Sequence, residues 1–340
     1  MKRGAFKLGV KLIVSAALLA LIFAVVPWQK LLASVRSLDA RTWALVWLGF
    51  IAGHALGVFK WRYNVNLGIR SERAKLSALD AAQCYAAGMF ANLCLPSIVG
   101  GDALKALLAA KVTGRAEAAV IGGLTERLID TFALLVLILV GALWSADAMP
   151  GWAQSTVQVG SIVALAGAAL FTPLLLRVKL ARWPRKLRRT VGRALVALRR
   201  LGERPARAIV VLSLSLVIQG WFVLLNRELG RGIGVEAPLA VWFFAVPMAK
   251  AITLAPISFG GFGLREVTLA GFLESLARTP RELGIAASAL WQTVLVATGL
   301  LGGCLWFVLG FRAGARTGAG HGSLLSEQRS SAAKAGARHG

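Results

Sequence analysis

The sequence predicts an all-α, polytopic integral membrane protein with about eight hydrophobic segments. Six are expected as full crossings and two as re-entrant broken helices, arranged as an inverted repeat. Three observations carry this. The 340 residues are 57% hydrophobic with a mean hydropathy of +0.69, above the roughly half-apolar composition of a soluble domain. Apolar runs of about 20 residues recur, the length that crosses about 30 Å of hydrocarbon. Two of the runs are interrupted by one shared pattern of proline, paired glycines and a basic residue. In hydrocarbon a helix closes its backbone hydrogen bonds within the segment, whereas open strand edges find no partner, so every run is assigned as helix.

In chain order the segments are 8–27, 42–59, 77–111 (broken), 118–143, 157–176, 208–226, 239–277 (broken) and 284–310. The first follows MKRGAFK as a signal peptide would. It has no convincing small-residue cleavage site and runs directly into Pro27-Trp28, so it counts as a helix. Trp28, Trp43, Trp61, Trp144 and Trp152 fall at segment ends, where amphipathic rings favour the headgroup layer. The loop 177–207 holds twelve basic residues against one acid, for a charge of +11. Beyond Pro184, the residues Leu187, Val191, Leu195 and Leu198 recur at helical spacing. They predict a basic amphipathic helix on the cytoplasmic leaflet, serving as an orientation anchor and attracted to anionic headgroups. From Gly314 the chain turns to Gly, Ala, Ser, Arg and Lys. The expected division is a transmembrane domain over 1–312 and a disordered polar cytoplasmic tail over 313–340.

Net charge is +24, from 39 basic and 15 acidic residues. The basic residues sit in loops, which in a membrane protein sets orientation; no nucleic-acid motif accompanies them, and nucleic acid is not expected as a partner. A basic N-terminus is placed inside, and Lys60, Arg62, Arg70, Arg73 and Lys75 agree with an inside loop after the second segment. If 77–111 crossed fully, the +11 loop would land outside. If it dips in and returns, the loop 144–156, which has no Lys or Arg, lies outside and every basic loop lies inside. Three crossings then separate the two broken segments, so the second enters from the opposite face, and both termini are cytoplasmic. Cys84, Cys94 and Cys304 form no metal spacing and are assigned to packing. His54 is alone on a membrane helix, where a hydrogen-bonded structural role is expected. No catalytic constellation, metal site or cofactor loop is present in the pattern.

The two breaks read LPSIVGGDALK (95–105) and APISFGGFGLRE (255–266). Both fit P-x3-GG-x2-L-[KR]: Pro96 matches Pro256, Gly100-Gly101 matches Gly260-Gly261, and Lys105 matches Arg265. A helix that restarts after paired glycines offers free N–H groups and the positive end of its dipole, a setting for an anion. Lys105 and Arg265 add full charge, and Asn92 adds a hydrogen-bonding amide. The spacing lets Asp102 pair with Lys105 at i, i+3. Glu126, Arg127 and Asp130 fall in the first half of an apolar helix, with Arg127 and Asp130 placed to pair, and Lys250 lacks a local acid. Charges at such depth normally face a bundle interior or a wet cavity. The same residues also fit ordinary capped inter-helix loops with structural ion pairs.

NLCLPSIVGGDALKALLAAKVTGRAEAAVIGGLTERLID (92–130) and LAPISFGGFGLREVTLAGFL (254–273) resemble the two signature regions of the flippase-like family, the transmembrane domain of lysylphosphatidylglycerol synthases. The resemblance spans about residues 8–312. It implies a multi-pass protein of the bacterial inner membrane that moves an anionic or modified lipid between leaflets. In fused relatives a soluble domain aminoacylates the lipid. Only a short polar tail follows residue 312 here, so that enzymatic activity is not expected of this chain. Lys105, Arg265, Asn92, Gly100, Gly101, Gly260 and Gly261 are the expected substrate contacts. Asp102, Glu126, Arg127, Asp130, Lys250 and Glu266 are the expected gating or counter-charge residues. Membrane lipids are the expected partners, with lipid-biosynthesis enzymes as a further class. Two other readings stay open: a scaffold of a lipid-synthesis complex, and a membrane transferase in which Asp102 or Glu266 is a general base.

Overall fold

The computed structural model describes residues 36–145 apart from 70 and 95–97, residue 147, scattered positions in 151–167, and residues 205–253 and 263–308. The first apolar segment, most of 157–176, the basic loop and the tail lie outside the described residues. So do Pro96, Pro256, Gly260 and Gly261.

Among the described residues every regular element is helical. The α-helices are α1 (Ala40–Asn66), α2 (Ala78–Cys94), α3 (Ile98–Thr113), α4 (Ala116–Trp144), α5 (Pro205–Gly232), α6 (Leu239–Thr253), α7 (Leu264–Ala277) and α8 (Arg281–Val308). Four of them, α1, α4, α5 and α8, are long and apolar enough to cross a membrane. The protein is a multi-pass, all-α membrane protein. The other four have 17, 16, 15 and 14 residues. At about 1.5 Å per residue these reach about 21–26 Å, short of the hydrocarbon thickness.

The burial pattern of α1 shows why it forms. Val46, Phe50, Gly53, Gly57, Trp61 and Asn64 recur every three or four residues on its buried face, while Leu45, Leu48, Leu56 and Phe59 are exposed. That is an apolar helix with a protein-facing stripe and a greasy outer face. Glycines bring the helices close: a Cβ on Gly53 would overlap Phe222 of α5, and one on Gly122 of α4 would meet the Val65 backbone at 2.8 Å. Small residues serve membrane helices in this way, by letting backbones approach. The helix extends seven residues beyond the apolar run that ends at 59. Lys60 and Arg62 are therefore helical, not loop residues as expected. Arg62 Nε donates to the Leu76 carbonyl at 2.9 Å, and Asn66 exchanges two bonds with the Leu76 backbone, tying the loop before α2 to the end of α1.

α2 and α3 pack as an antiparallel pair. Gly101 of α3 meets Asn92 and the Gly88 carbonyl of α2, and Gly88 lies against Lys105. α6 and α7 pack in the same manner, with Phe244 edge-on to Phe272 at 5.2 Å.

The helix pairs obey one exchange rule. Swap α1 with α5, α2 with α6, α3 with α7 and α4 with α8, and each packed pair becomes another packed pair. Thus α2 lies along α8 as α6 lies along α4, and α3 lies along α4 as α7 lies along α8. The pair α1 and α5 maps onto itself.

Candidate functional site

A cavity of about 590 Å³ sits among α1, α2 and α4–α8, within the usual range for small-molecule sites. Phe50 and His54 of α1, Gln219 and Phe222 of α5, and Trp291 and Gln292 of α8 line it from near the middle of helices long enough to cross. The cavity therefore lies part-way through the bundle. The two hairpins converge on it: Asn92 from the last turn of α2, Lys250 and Thr253 from the end of α6, and Arg265 from the first turn of α7. Its remaining walls include Leu134, Leu137, Val246, Leu269 and Leu295, so a polar rim adjoins an apolar interior.

Each cation on the wall has a distinct setting. Arg265 Nη2 donates to Gln292 Oε1 at 2.8 Å, to Glu266 Oε1 at 3.1 Å and to the Ser288 carbonyl at 3.4 Å. Its buried Nε has no partner among the described residues. Glu266 also accepts from the Gly263 N–H at 2.7 Å, reaching back over the first turn of α7 to satisfy an orphan donor. Gly263 holds φ 81, in the left-handed region that glycine reaches without strain. Lys250 is exposed and lines this cavity. Its ammonium donates to Gln219 Oε1 at 3.2 Å and has no carboxylate within ion-pair distance among the described residues.

The first hairpin uses its charges differently. Lys105 Nζ pairs with Glu126 at 2.8 Å and with Asp102 at 3.5 Å. It also lies 4.7 Å from the centre of the Tyr85 ring and 5.1 Å from that of Trp61, close enough for cation–π attraction. Arg127 forks onto Asp102. Asp130 pairs with Lys60, and Ser215 donates to the same carboxylate oxygen at 2.7 Å. The expected Arg127–Asp130 pair is thus replaced by two longer-range pairs. Lys105, Asp102, Glu126, Arg127 and Asp130 come together beside the cavity but not on its wall. Trp61 is fully buried under Lys105, not in a headgroup belt.

Two links join cluster and cavity. Gln219 Nε2 donates to the Asp130 carbonyl at 2.9 Å while its oxygen accepts from Lys250. His54 Nδ1 lies 3.2 Å from the Tyr85 hydroxyl. Asn92 Oδ1 accepts from the Gly101 N–H at 3.1 Å, capping the start of α3 across the break. In the sequence Lys60 reads only as a loop cation, and Gln219 carries no signal. The apolar run stops one residue before Lys60, and an amide in a membrane helix carries no motif.

Residues 9–303 match the family described as the lysylphosphatidylglycerol synthase transmembrane region. The chain belongs to that family. No curated protein and no solved structure matches it. For this family member the match covers all the described helices except the last five residues of α8. It also takes in both signature stretches, including the residues outside the described set. Among the described residues no cluster of His, Cys, Asp and Glu could hold a metal ion.

Proposed function

We propose that this chain is a lipid translocase of the bacterial cytoplasmic membrane with both termini inside. In this reading the cavity holds an anionic headgroup part-way across the bilayer, and Lys250 and Arg265 bind it. The observation that carries the reading is the cavity wall: two cations and several amides at the meeting point of two hairpins, with no carboxylate among the described residues that line it, beside a surface that suits acyl chains. Cations part-way through a membrane bundle normally serve a ligand or an ion path. The headgroup role expected of Lys105 passes to Lys250, because Lys105 already has two carboxylates and two rings.

The exchange rule of the helix pairs supports an inverted repeat, in which α1–α4 and α5–α8 are the two halves. In transporters of that build, rocking of one half against the other alternates access to a fixed central site. Asp102, Glu126, Arg127 and Asp130, with Lys60 and Lys105, act as the gate: six charges that pair when one side is closed. The family takes its name from lysylphosphatidylglycerol synthases, which agrees with lipid as the cargo.

The test is reconstitution of the purified chain into vesicles carrying a trace of acyl-labelled phosphatidylglycerol, followed by quenching of the outer leaflet. The wild type is expected to equilibrate the label. A charge-assisted hydrogen bond contributes about 1.5–3 kcal/mol, so Lys250→Ala with Arg265→Ala should slow movement by at least about tenfold. An unchanged rate in a folded double variant removes the assignment.

A further inference from the structure

The Lys60–Asp130 pair is lopsided. The Lys60 side chain is 4% exposed, whereas that of Asp130 is 34% exposed, although Asp130 stands at the middle of α4. Arg127, one turn earlier, and its partner Asp102 are partly exposed as well, so the opening beside Asp130 is lined by charge. Charges at such depth normally border a wet space. A proton can reach the carboxylate there, while the ammonium is sealed. The groups that face Asp130 come from the helices packed on α4: Lys60 from α1, Ser215 and Gln219 from α5, and Lys250 of α6 beyond Gln219. α3 turns Asp102 and Lys105 toward Arg127 and Glu126 instead, and the Tyr85 hydroxyl of α2 acts at longer range.

Lys60 has a second place to rest. Asn64 follows it by four residues on the buried face of α1. Asn64 is 5% exposed, and neither amide atom has a partner among the described residues. Side chains at this spacing stand about 5–6 Å apart at Cβ, within reach of a lysine's four-carbon stem. Buried polar atoms are normally paired, so an unpartnered acceptor beside a buried ammonium is a reserved position. Ser215 Oγ accepts from Lys60 at 3.0 Å and donates to Asp130 at 2.7 Å, and a hydroxyl can exchange the two roles. The other acids of the cluster are held differently. Glu126 is buried against Lys105, and Asp102 is shared by Arg127 and Lys105.

We propose that this chain couples cargo movement to a proton carried by Asp130, with cargo and proton crossing in the same direction. The inference rests on the translocase reading and supplies its energy source. The step is a proton transfer alone. A proton from water adds to the Asp130 carboxylate, an O–H bond forms, and the ion pair with Lys60 is lost. Lys60 keeps its charge and swings to Asn64 Oδ1, while Ser215 turns to accept from the new carboxyl. The bundle then holds one more positive charge, and an anionic cargo at Lys250 balances it. Gln219 ties the two sites together, holding the Asp130 carbonyl at 2.9 Å and the Lys250 ammonium at 3.2 Å. Return of Lys60 to Asp130 expels the proton on the far side as the cargo leaves. Empty and loaded bundles thus carry equal charge. A bundle with only one of the two bound leaves a charge unmatched in the interior, which is costly.

The experiment uses vesicles that hold the full chain and a trace of acyl-labelled phosphatidylglycerol, with a lumen more acid than the medium. Potassium and valinomycin hold the membrane potential at zero. One proton per lipid caps the leaflet ratio at about tenfold for each pH unit, and an outer-leaflet excess of at least about threefold is expected across about two units. Reversing the gradient should move the excess to the inner leaflet, and an uncoupler should abolish it. Asp130→Asn should move label more slowly and spread it evenly under either gradient, and Asn64→Leu should shrink the excess. Even leaflets in the wild type under a gradient overturn the proposal and leave the translocase reading standing. An excess on the acid side overturns it too, as does one that survives in Asp130→Asn or is unchanged in Asn64→Leu. No movement with or without a gradient removes both readings. If Asp130→Asn does not fold, dicyclohexylcarbodiimide, an apolar reagent that adds to protonated carboxyls, takes its place on the wild type. Peptide mapping should find the adduct at Asp130, with the excess lost in proportion. An excess that persists once Asp130 is modified, or is lost with Asp130 unmodified, overturns the assignment.

Discussion

Lys105 shows what it takes to keep a cation inside an apolar bundle. Its side chain is 7% exposed and that of its partner Glu126 is 9% exposed, so neither can turn to water for solvation. Removing one partner of a buried pair costs about 3–5 kcal/mol, while replacing both by apolar groups can be nearly neutral. Lys105→Met is therefore expected to lower the thermal midpoint of the detergent-purified protein markedly. Adding Glu126→Met to it should recover most of the loss. A double variant no more stable than the single would show that the pair is not the unit of stabilisation. Part of this cluster was legible from local spacing: Asp102 and Lys105 stand at i, i+3 and do approach. The rest was not, because Glu126 is 21 residues from Lys105 and Asp130 is 70 from Lys60. Arg127 and Asp130 also have favourable spacing, yet each finds a partner on another helix. The missed signal for Lys60 was periodicity. The buried stripe of α1 runs on through Lys60, Trp61 and Asn64, past the point where hydropathy falls.

The first hairpin depends on a close crossing next to its break. A Cβ on Gly101 would collide with Asn92 and the Gly88 carbonyl, whereas one on Gly123 would meet nothing within 4 Å. Overpacking typically costs about 1–3 kcal/mol. Gly101→Ala should therefore destabilise the protein by about that much in thermal unfolding, and Gly123→Ala should be neutral or better, since alanine favours helix over glycine. Equal effects at the two positions would mean that the α2–α3 crossing does not restrict residue 101. Helix positions were largely legible: hydropathy alone brackets α4 within two residues at its start, 118 against 116, and one at its end, 143 against 144. The first break was legible only in part: α3 begins at Ile98, so Gly100 and Gly101 lie inside the helix and not before its restart as expected, and the glycines of the second break lie outside the described residues. The cavity was not, since its walls come from seven helices spread between Phe50 and Gly299. Nothing local in the sequence marks Gln219 or His54 as neighbours of Lys250.

At the level of the whole chain, basic loops and the exchange of helix pairs make one claim about orientation. Ser71 and Ser155 are both exposed and lie in connections assigned to opposite faces. In a cysteine-free background, Ser71→Cys should resist a membrane-impermeant maleimide in intact spheroplasts and react after lysis. Ser155→Cys should react in both. Labelling of both sites from the outside would overturn the expected topology. The unequal charge of the two hairpins has a mechanical consequence on this reading. Two halves that were chemical twins would make the inward and outward shapes mirror each other in energy. Here three ion pairs tie α4 to α1 and α3 in one half, whereas the pair at the other hairpin joins the adjacent residues Arg265 and Glu266, so the mirror is broken. On the proposed translocase reading the bundle is a valve with a spring on one leaf: the half tied by cross-helix pairs sets the resting side, and cargo held at the other supplies a reason to leave it.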